Sequence, residues 1–190
     1  MTSSPQSAVF WTDPNNHDWM QSELRAGRVR QGWGFAGCQL FEHGSQTPYE
    51  RWAENYRAGI LRSWRVEVTD DEARTRYRIL MRMLQLRPGD QLVIPKMPEE
   101  GWMTLAKVRN SYTFDDSHFG KRPFYKGNHS DFIHIIDVDP GTMAEVRRRS
   151  SCDAEYVASN WRNYRQAITF ARDPAFRSAI DRLFAAHLES

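Results

Sequence analysis

Residues 87–95 read RPGDQLVIP, and this stretch decides the fold class. A Pro-Gly-Asp turn is followed by apolar residues up to a second proline, which is typical of a strand bounded by turns. Residues 102–109 predict a second strand that continues in an extended conformation over 111–114. The almost unbroken apolar run at 132–138 predicts a central strand that is buried on both faces. Shorter strands are predicted at 9–12 and 29–33.

Helices are predicted on both sides of this block of strands. Thr47, Thr69 and Thr142 each precede a glutamate by three positions, and this capping-box pattern marks the start of a helix. Asp13 and Asp173 each precede a proline, which is a further start signal. The predicted helices cover residues 13–26, 48–59, 70–86, 142–149 and 157–188. The pattern as a whole predicts an α+β fold in which helices flank a sheet.

The length of 190 residues predicts a single domain over 1–190, with a loose tail at 1–8 and a helical extension at 157–188. The longest uncharged apolar runs, at 92–95 and 133–136, are far shorter than the roughly 20 residues that span a membrane. The N-terminus lacks the apolar segment of a secretory signal. Two distant cysteines fit a cytoplasmic protein with reduced thiols.

The sequence patterns that would indicate a cofactor or a catalytic site are incomplete. Residues 32–37 have the spacing of a dinucleotide-binding loop, but polar residues precede this loop and no amphipathic helix follows it. Lys96 and Lys107 lack the acidic residue two positions earlier that a restriction-type nuclease uses to hold Mg²⁺. We therefore predict no cofactor, no metal site and no catalytic residue.

Aromatic residues make up 13% of the chain and include seven tryptophans, an excess that favours a binding surface. Trp33 lies between two glycines, which allow close approach of the backbone or of a ligand while the indole is displayed. Aromatic faces at strand ends suit the stacking of an unpaired base. The candidate residues of such a cage are Trp11, Trp33, Trp102, Tyr112, Phe114, His134 and Asp137. The alternatives are a tryptophan-rich core, a hydrogen-bonded core histidine and a turn aspartate.

The basic residues are dominated by arginine, with 22 arginines among 26 basic residues. The arginine fork is suited to phosphates and base edges. The sequence places seven cations in loops or at strand ends near the aromatic set, where they are candidates for contacting a nucleic-acid backbone. They are Arg28, Arg30, Lys107, Arg109, Lys121, Arg122 and Lys126. Ordinary solvated surface charge is the alternative for each of them.

Two stretches together resemble a known family. Residues 24–34, LRAGRVRQGWG, are similar to a glycine-tryptophan-glycine signature of small PUA-like modules at the N-terminus of Mrr-type restriction endonucleases. Residues 88–95, 102–112 and 134–138 are similar to the strand run of the same modules, whose broad superfold includes the EVE, YTH and ASCH domains. The resemblance covers about residues 9–140.

The resemblance implies a curved, barrel-like β-sheet with flanking helices and an aromatic cage for a modified or flipped base. Trp33 matches the family's tryptophan, Tyr112 its strand-end tyrosine and His134 its histidine, while Trp11 corresponds only loosely to an N-terminal aromatic residue. The chain departs from the family in its long loop at 115–130. In addition, we recognise no nuclease domain within the 190 residues and expect none.

The sequence thus predicts a non-enzymatic reader of a modified base, in DNA first and RNA second, that serves as the sensor of a restriction or defence system. Cleavage would come from a separate nuclease or ATPase partner. One alternative is a metal-dependent enzyme that processes nucleic acid and uses loop residues as ligands. These residues are Asp115, Asp116, His118 and His129. Another alternative is a protein-interaction module that uses the helical tail at 157–188.

Overall fold

The computed structural model describes residues 5–13, 16–115, 131–164 and 166–188. In these ranges it is an α+β protein with a mixed sheet and five α-helices, which confirms the predicted fold class. The strands are β1 (Ser7–Phe10), β2 (Arg28–Gln31), β3 (Phe41–Glu42), β4 (Ser45–Gln46), β5 (Gln91–Pro95), β6 (Trp102–Phe114), β7 (His134–Val138), β8 (Ala144–Arg147) and β9 (Ile168–Phe170). The helices are α1 (His17–Arg25), α2 (Tyr49–Trp64), α3 (Asp70–Leu80), α4 (Cys152–Asn160) and α5 (Pro174–Leu188). Within the described part of the chain, the helices are too short or too polar to cross a bilayer.

The main sheet has the strand order β2-β7-β6-β5-β1-β9, and β8 pairs with β6. β1 runs parallel to β5, while β5 pairs with β6 and β1 pairs with β9 in antiparallel orientation. The order has two ends, so the strands described here form an open sheet and do not close into a barrel. β3 and β4 form a separate two-stranded hairpin. β7 is buried at four of its five residues, as predicted for a central strand.

The chain divides into two compact units. Unit 1 comprises residues 1–29, 86–111 and 137–190, and unit 2 comprises residues 30–85 and 112–136. The core of unit 1 is formed by apolar residues of its strands together with the buried faces of α4 and α5. The apolar face of α5 is at most 2% exposed at Phe176, Ile180, Leu183 and Phe184. This helix therefore uses its apolar face inside unit 1, which argues against the tail as a docking element.

Two segments predicted as helical are strands, and both predictions are wrong for the same reason. Residues 142–149 contain β8, which pairs with β6. The Thr142 hydroxyl does not cap a helix and accepts a hydrogen bond from the main-chain N–H of Lys107. Residues 168–170 inside the predicted tail form β9, where Ile168 is fully buried opposite Phe10. In both cases pairing with a strand distant in sequence outweighs the local helical pattern.

The capping-box predictions have different outcomes at Thr69 and Thr47. Thr69 and Glu72 exchange both hydrogen bonds of the box at the start of α3. Thr47 is buried, Pro48 occupies the cap position of α2, and no side chain caps that helix. The α2 helix also continues past Gly59, where its end was predicted, and reaches Trp64.

Gly59 lies within α2 because the ring of Phe35 packs directly against it. A Cβ atom at position 59 would lie 2.2 Å from Cγ of Phe35, so the lack of a side chain allows the contact. This packing outweighs the cost of a glycine in a helix interior, which is about 1 kcal/mol relative to alanine.

We expect Gly59→Ala to destabilise the protein by about 1–2 kcal/mol, although alanine favours helices, because overpacking costs about 1–3 kcal/mol and exceeds the gain in helix propensity. Urea unfolding of the wild type and the variant measures this difference. Phe35→Ala removes Cγ, the atom nearest to the new methyl group, so the double variant should be less destabilised than the sum of the two single variants; effects that simply add would contradict the explanation.

Candidate functional site

The backbone of Trp33 in unit 2 adopts a conformation that is unusual for a residue with a large side chain. Its φ is +65°, in the left-handed region, which costs roughly 1–2 kcal/mol for a residue other than glycine. The main-chain N–H of Trp33 donates a hydrogen bond of 2.8 Å to the carboxylate of Asp131. The N–H of Gly34 donates a bond of 2.9 Å to the main-chain carbonyl of the same aspartate. Asp131 therefore clamps the loop with both its side chain and its backbone.

The two glycines that flank Trp33 are needed because the loop lies directly on residues 131–133. A Cβ atom at Gly32 would lie 2.9 Å from a carboxylate oxygen of Asp131. A Cβ atom at Gly34 would lie 2.3 Å from Cγ1 of Ile133, which is closer than real Cβ atoms approach. The close approach that the sequence predicted for these glycines is therefore mainly an approach of the loop backbone to the side chains of Asp131 and Ile133.

The Trp33 indole is half-buried, and a cation lies over one of its faces. The guanidinium of Arg76, from α3, is 4.3 Å from the ring centroid, which is the geometry of a cation–π contact. The charge of Arg76 also acts on the nearby hydroxyl of Tyr56 and opposes the rise of its pKa. Burial raises the pKa of Tyr56 to about 12, so this hydroxyl stays protonated next to the arginine.

A pair formed by the buried His134 and the half-buried Tyr112 lies beside the same loop. The Tyr112 hydroxyl accepts a hydrogen bond from the N–H of Leu40 at 3.1 Å and lies 2.9 Å from Nδ1 of His134. The hydroxyl keeps its proton and a second lone pair, so it donates to Nδ1 in one tautomer of the imidazole and accepts from Nδ1–H in the other. The edge of the Phe114 ring packs 5.1 Å from the imidazole.

His134 is neutral at physiological pH. It is fully buried, and burial lowers its pKa from 6.5 to about 3, against a small opposing effect of the Trp33 main chain. Nε2 forms no hydrogen bond of standard geometry to any residue that the structure describes. The pair therefore contributes dipoles to this region of unit 2 and no charge.

Unit 2 brings together four of the seven predicted cage residues, namely Trp33, Tyr112, Phe114 and His134. The other three lie in unit 1, where each has a partner of its own. The Trp11 indole donates to the carbonyl of Tyr164, the Trp102 ring stacks under Arg147, and Asp137 accepts from the side chain of Asn110. The contacts of these three residues are therefore of the kind that stabilise a fold.

The cations that were predicted to contact a nucleic-acid backbone differ in their exposure and in their ion pairs. Arg30 is 1% exposed, and its guanidinium donates to the carbonyl of Phe132 at 3.1 Å and pairs with Asp115 at 3.3 Å. A guanidinium enclosed in this way does not offer its charge to a phosphate, so we remove Arg30 from the set. Arg28 pairs with Glu23 at 2.7 Å, Lys107 is half-buried and Arg109 is exposed. Lys121, Arg122 and Lys126 lie outside the described residues.

The alternative metal site has one described member. Asp115 pairs with Arg30, while Asp116, His118 and His129 lie outside the described residues. Within the part of the chain that the structure describes, no three histidine, cysteine or acidic side chains are grouped as metal ligands. The metal-dependent enzyme therefore remains a prediction without a described site.

Sequence reasoning missed three residues that shape the region around Trp33: Tyr56, Arg76 and Asp131. Asp131 immediately precedes the apolar run of β7, and a carboxylate in that position is a signal for a turn or clamp that can be read from the sequence. Tyr56 and Arg76 lie on helices with many polar residues, and nothing in their local pattern distinguishes them from their neighbours.

Comparison with protein-family models, with curated proteins and with solved structures gives no match.

Proposed function

We propose that the loop around Trp33 binds a planar heterocycle, and that the protein is a non-enzymatic reader of a modified base flipped out of a nucleic acid. The observation that carries this proposal is the left-handed backbone of Trp33, which is kept in place by two hydrogen bonds that the loop donates to Asp131. Strained backbone of this kind persists where the surrounding structure enforces it and is concentrated at binding sites. A tryptophan that served only as core would not require this conformation.

The ligand stacks on the indole in this proposal. Stacking of a base on an aromatic side chain contributes about 1–3 kcal/mol, which offsets part of the few kcal/mol needed to unstack and flip the base. The Arg76 guanidinium already occupies a stacking position 4.3 Å from the ring centroid. A flat base takes the place of this planar group, and the displaced arginine remains nearby to contact the phosphate of the flipped nucleotide.

The neutral Tyr112–His134 pair supports a ligand without charge. With its pKa lowered to about 3, His134 carries no positive charge at neutral pH, so the region does not select an anion at this point. Bases are neutral and hydrogen-bonding, and a small modification is distinguished by pocket volume and by one or two edge contacts. Discrimination of one methyl group is worth about 1–3 kcal/mol in such a pocket.

The resemblance to PUA-like modules favours DNA as the nucleic acid, with RNA as the second possibility, and a sensor role in a restriction or defence system. In that setting a separate nuclease or ATPase acts after the modified base has been bound. Both steps would take place in the cytoplasm.

Titration of the protein with modified and unmodified oligonucleotides at low salt tests the proposal. We expect Trp33→Gly to weaken binding of the preferred modified oligonucleotide by about 5- to 150-fold, because stacking is lost. Glycine accepts the left-handed backbone, so this variant separates loss of the indole from loss of the fold. Trp33→Phe should retain part of the affinity.

Two outcomes of this titration would remove the proposal. One is that the wild type binds neither kind of oligonucleotide at low salt. The other is that Trp33→Gly keeps the wild-type preference between modified and unmodified oligonucleotides.

A further inference from the structure

A second aromatic surface in unit 2 lies at the C-terminal end of α2. The Trp64 side chain is 44% exposed, and its neighbours Leu61 and Val66 are 49% and 51% exposed. Side chains of this size are normally withdrawn from water, and together with two arginines they form what we call the Trp64 platform. The platform comprises Leu61, Arg62, Trp64, Arg65 and Val66.

The charges of the platform point to an anionic partner. Arg62 and Arg65 are both exposed, and neither has an acidic partner among the residues that the structure describes. Arginines elsewhere on α2 and α3 are paired: Arg51 with Glu42, and both Arg57 and Arg74 with Asp70. The two arginines beside Trp64 therefore keep their charge for a ligand, next to a flat aromatic face.

The backbone at Arg65 supports a role for its side chain. Arg65 follows α2 in the left-handed conformation, with φ of +58°, which is the position where helices usually carry glycine. An arginine there is strained, as Trp33 is, and the same argument applies to it. Arg65 directly follows Trp64 in the chain, so an exposed cation and an exposed indole are carried by consecutive residues.

The platform is connected to the Trp33 loop by side-chain contacts within unit 2. The edge of Trp64 packs on the ring of Phe35 at 5.7 Å, and Phe35 is two residues from Trp33. The ring centroids of Phe35 and Tyr56 are 6.0 Å apart, and the charge of Arg76, which stacks on Trp33, acts on the Tyr56 hydroxyl. The Trp64 platform and the Trp33 loop are therefore linked through the side chain of Phe35.

We infer that the Trp64 platform binds an unpaired nucleotide next to the base held at Trp33, with the base stacked on Trp64 and the phosphate contacted by Arg62 and Arg65. Stacking on aromatic faces combined with arginine contacts to phosphates is the usual way in which single strands are bound without sequence preference. This inference takes the ligand to be a nucleic acid and so rests on the proposed function. It adds a second contact that does not depend on base modification.

The test uses a short labelled single-stranded DNA without modified bases, followed by fluorescence anisotropy over a range of salt concentrations. We expect Trp64→Ala to weaken binding by about 5- to 150-fold and Trp64→Phe to weaken it less. Tyr156→Ala is the matched control, because Tyr156 lies in unit 1 and is 40% exposed. It should leave the affinity unchanged.

Arg65→Gly separates binding from stability. Relief of the left-handed strain should raise the melting temperature by about 2–4 °C. Loss of one phosphate contact should reduce the slope of log affinity against log salt by about 0.7. Arg172→Ala, which removes an exposed arginine in unit 1, is the control and should change neither quantity.

The possible outcomes separate this inference from the proposed function. If Trp64→Ala and Arg65→Gly bind like their controls, or if the wild type does not bind the unmodified strand, the platform is overturned, whatever the Trp33 variants show. If the unmodified strand binds through the platform but no modified base is preferred, the proposed reader is overturned and the platform stands. If Trp64→Ala leaves DNA binding intact but dissolves a dimer in ultracentrifugation, the surface binds protein and the inference fails.

Discussion

Gly34→Ala is expected to lower the free energy of unfolding by about 3–5 kcal/mol, because overpacking and the loss of a buried hydrogen bond add together. The added Cβ would lie 2.3 Å from Cγ1 of Ile133 and 3.0 Å from the carbonyl oxygen of Asp131. Both atoms belong to a buried segment that cannot move aside without disturbing β7. The loop must therefore shift, and the hydrogen bond from Gly34 to Asp131 is lost with it.

Urea unfolding monitored by tryptophan fluorescence measures this change, and the Trp33 signal should also move toward that of a solvated indole. Ile133→Ala removes the atom nearest to the new methyl group, so the double variant should be less destabilised than the sum of the single variants. Additive effects, or a Gly34→Ala protein as stable as the wild type, would show that the loop does not lie on Ile133 as described.

A steep loss of stability in mild acid is expected from His134. The folded protein holds this imidazole neutral with a pKa of about 3, whereas the unfolded chain binds a proton near the ordinary value of 6.5. Below the unfolded value the unfolded chain holds the extra proton, so the free energy of unfolding falls as the pH falls from 6.5 toward 3. The loss is about 1.4 kcal/mol per pH unit, or roughly 3 kcal/mol by pH 4.5.

Comparison with His134→Asn isolates this contribution from that of the carboxylates. Asparagine can accept the Tyr112 hydrogen bond but does not titrate, so its stability should be lower at neutral pH and should change less between pH 6.5 and 4.5. Denaturant unfolding at several pH values gives both curves. Parallel curves for the wild type and the variant would mean that His134 titrates normally and is not held neutral by burial.

Local sequence signals predicted the parts of the fold that local forces determine. The bounds of β5 follow from a turn and a closing proline, and the start of α3 follows from Thr69 and Glu72. β8 and β9 were not predicted because each is a strand only through its pairing, with β6 and with β1 respectively. The α2 helix continues through Gly59, where the ring of Phe35 packs against the backbone. The periodicity of the helix sequence gives no sign of this contact.

The candidate site, like the fold, could be predicted only where local sequence signals identify it. The flanking glycines identify Trp33 from the sequence alone, because they show that the backbone there is special. The partners that make it special are distant in the chain: Asp131 is 98 residues away, and Arg76 reaches the loop from α3. Arg30 shows the converse error, since a basic residue next to a candidate loop resembles a ligand contact until its burial and its partners are known.

The left-handed backbone of Trp33 has an evolutionary consequence. Glycine and asparagine are the residues that this conformation tolerates best, so a library of variants chosen for folding alone should drift toward them at position 33. A library chosen for ligand capture should instead retain tryptophan. The two libraries should then differ in the frequency of tryptophan at position 33. The size of that difference measures how strongly ligand binding, and not folding, selects for this residue.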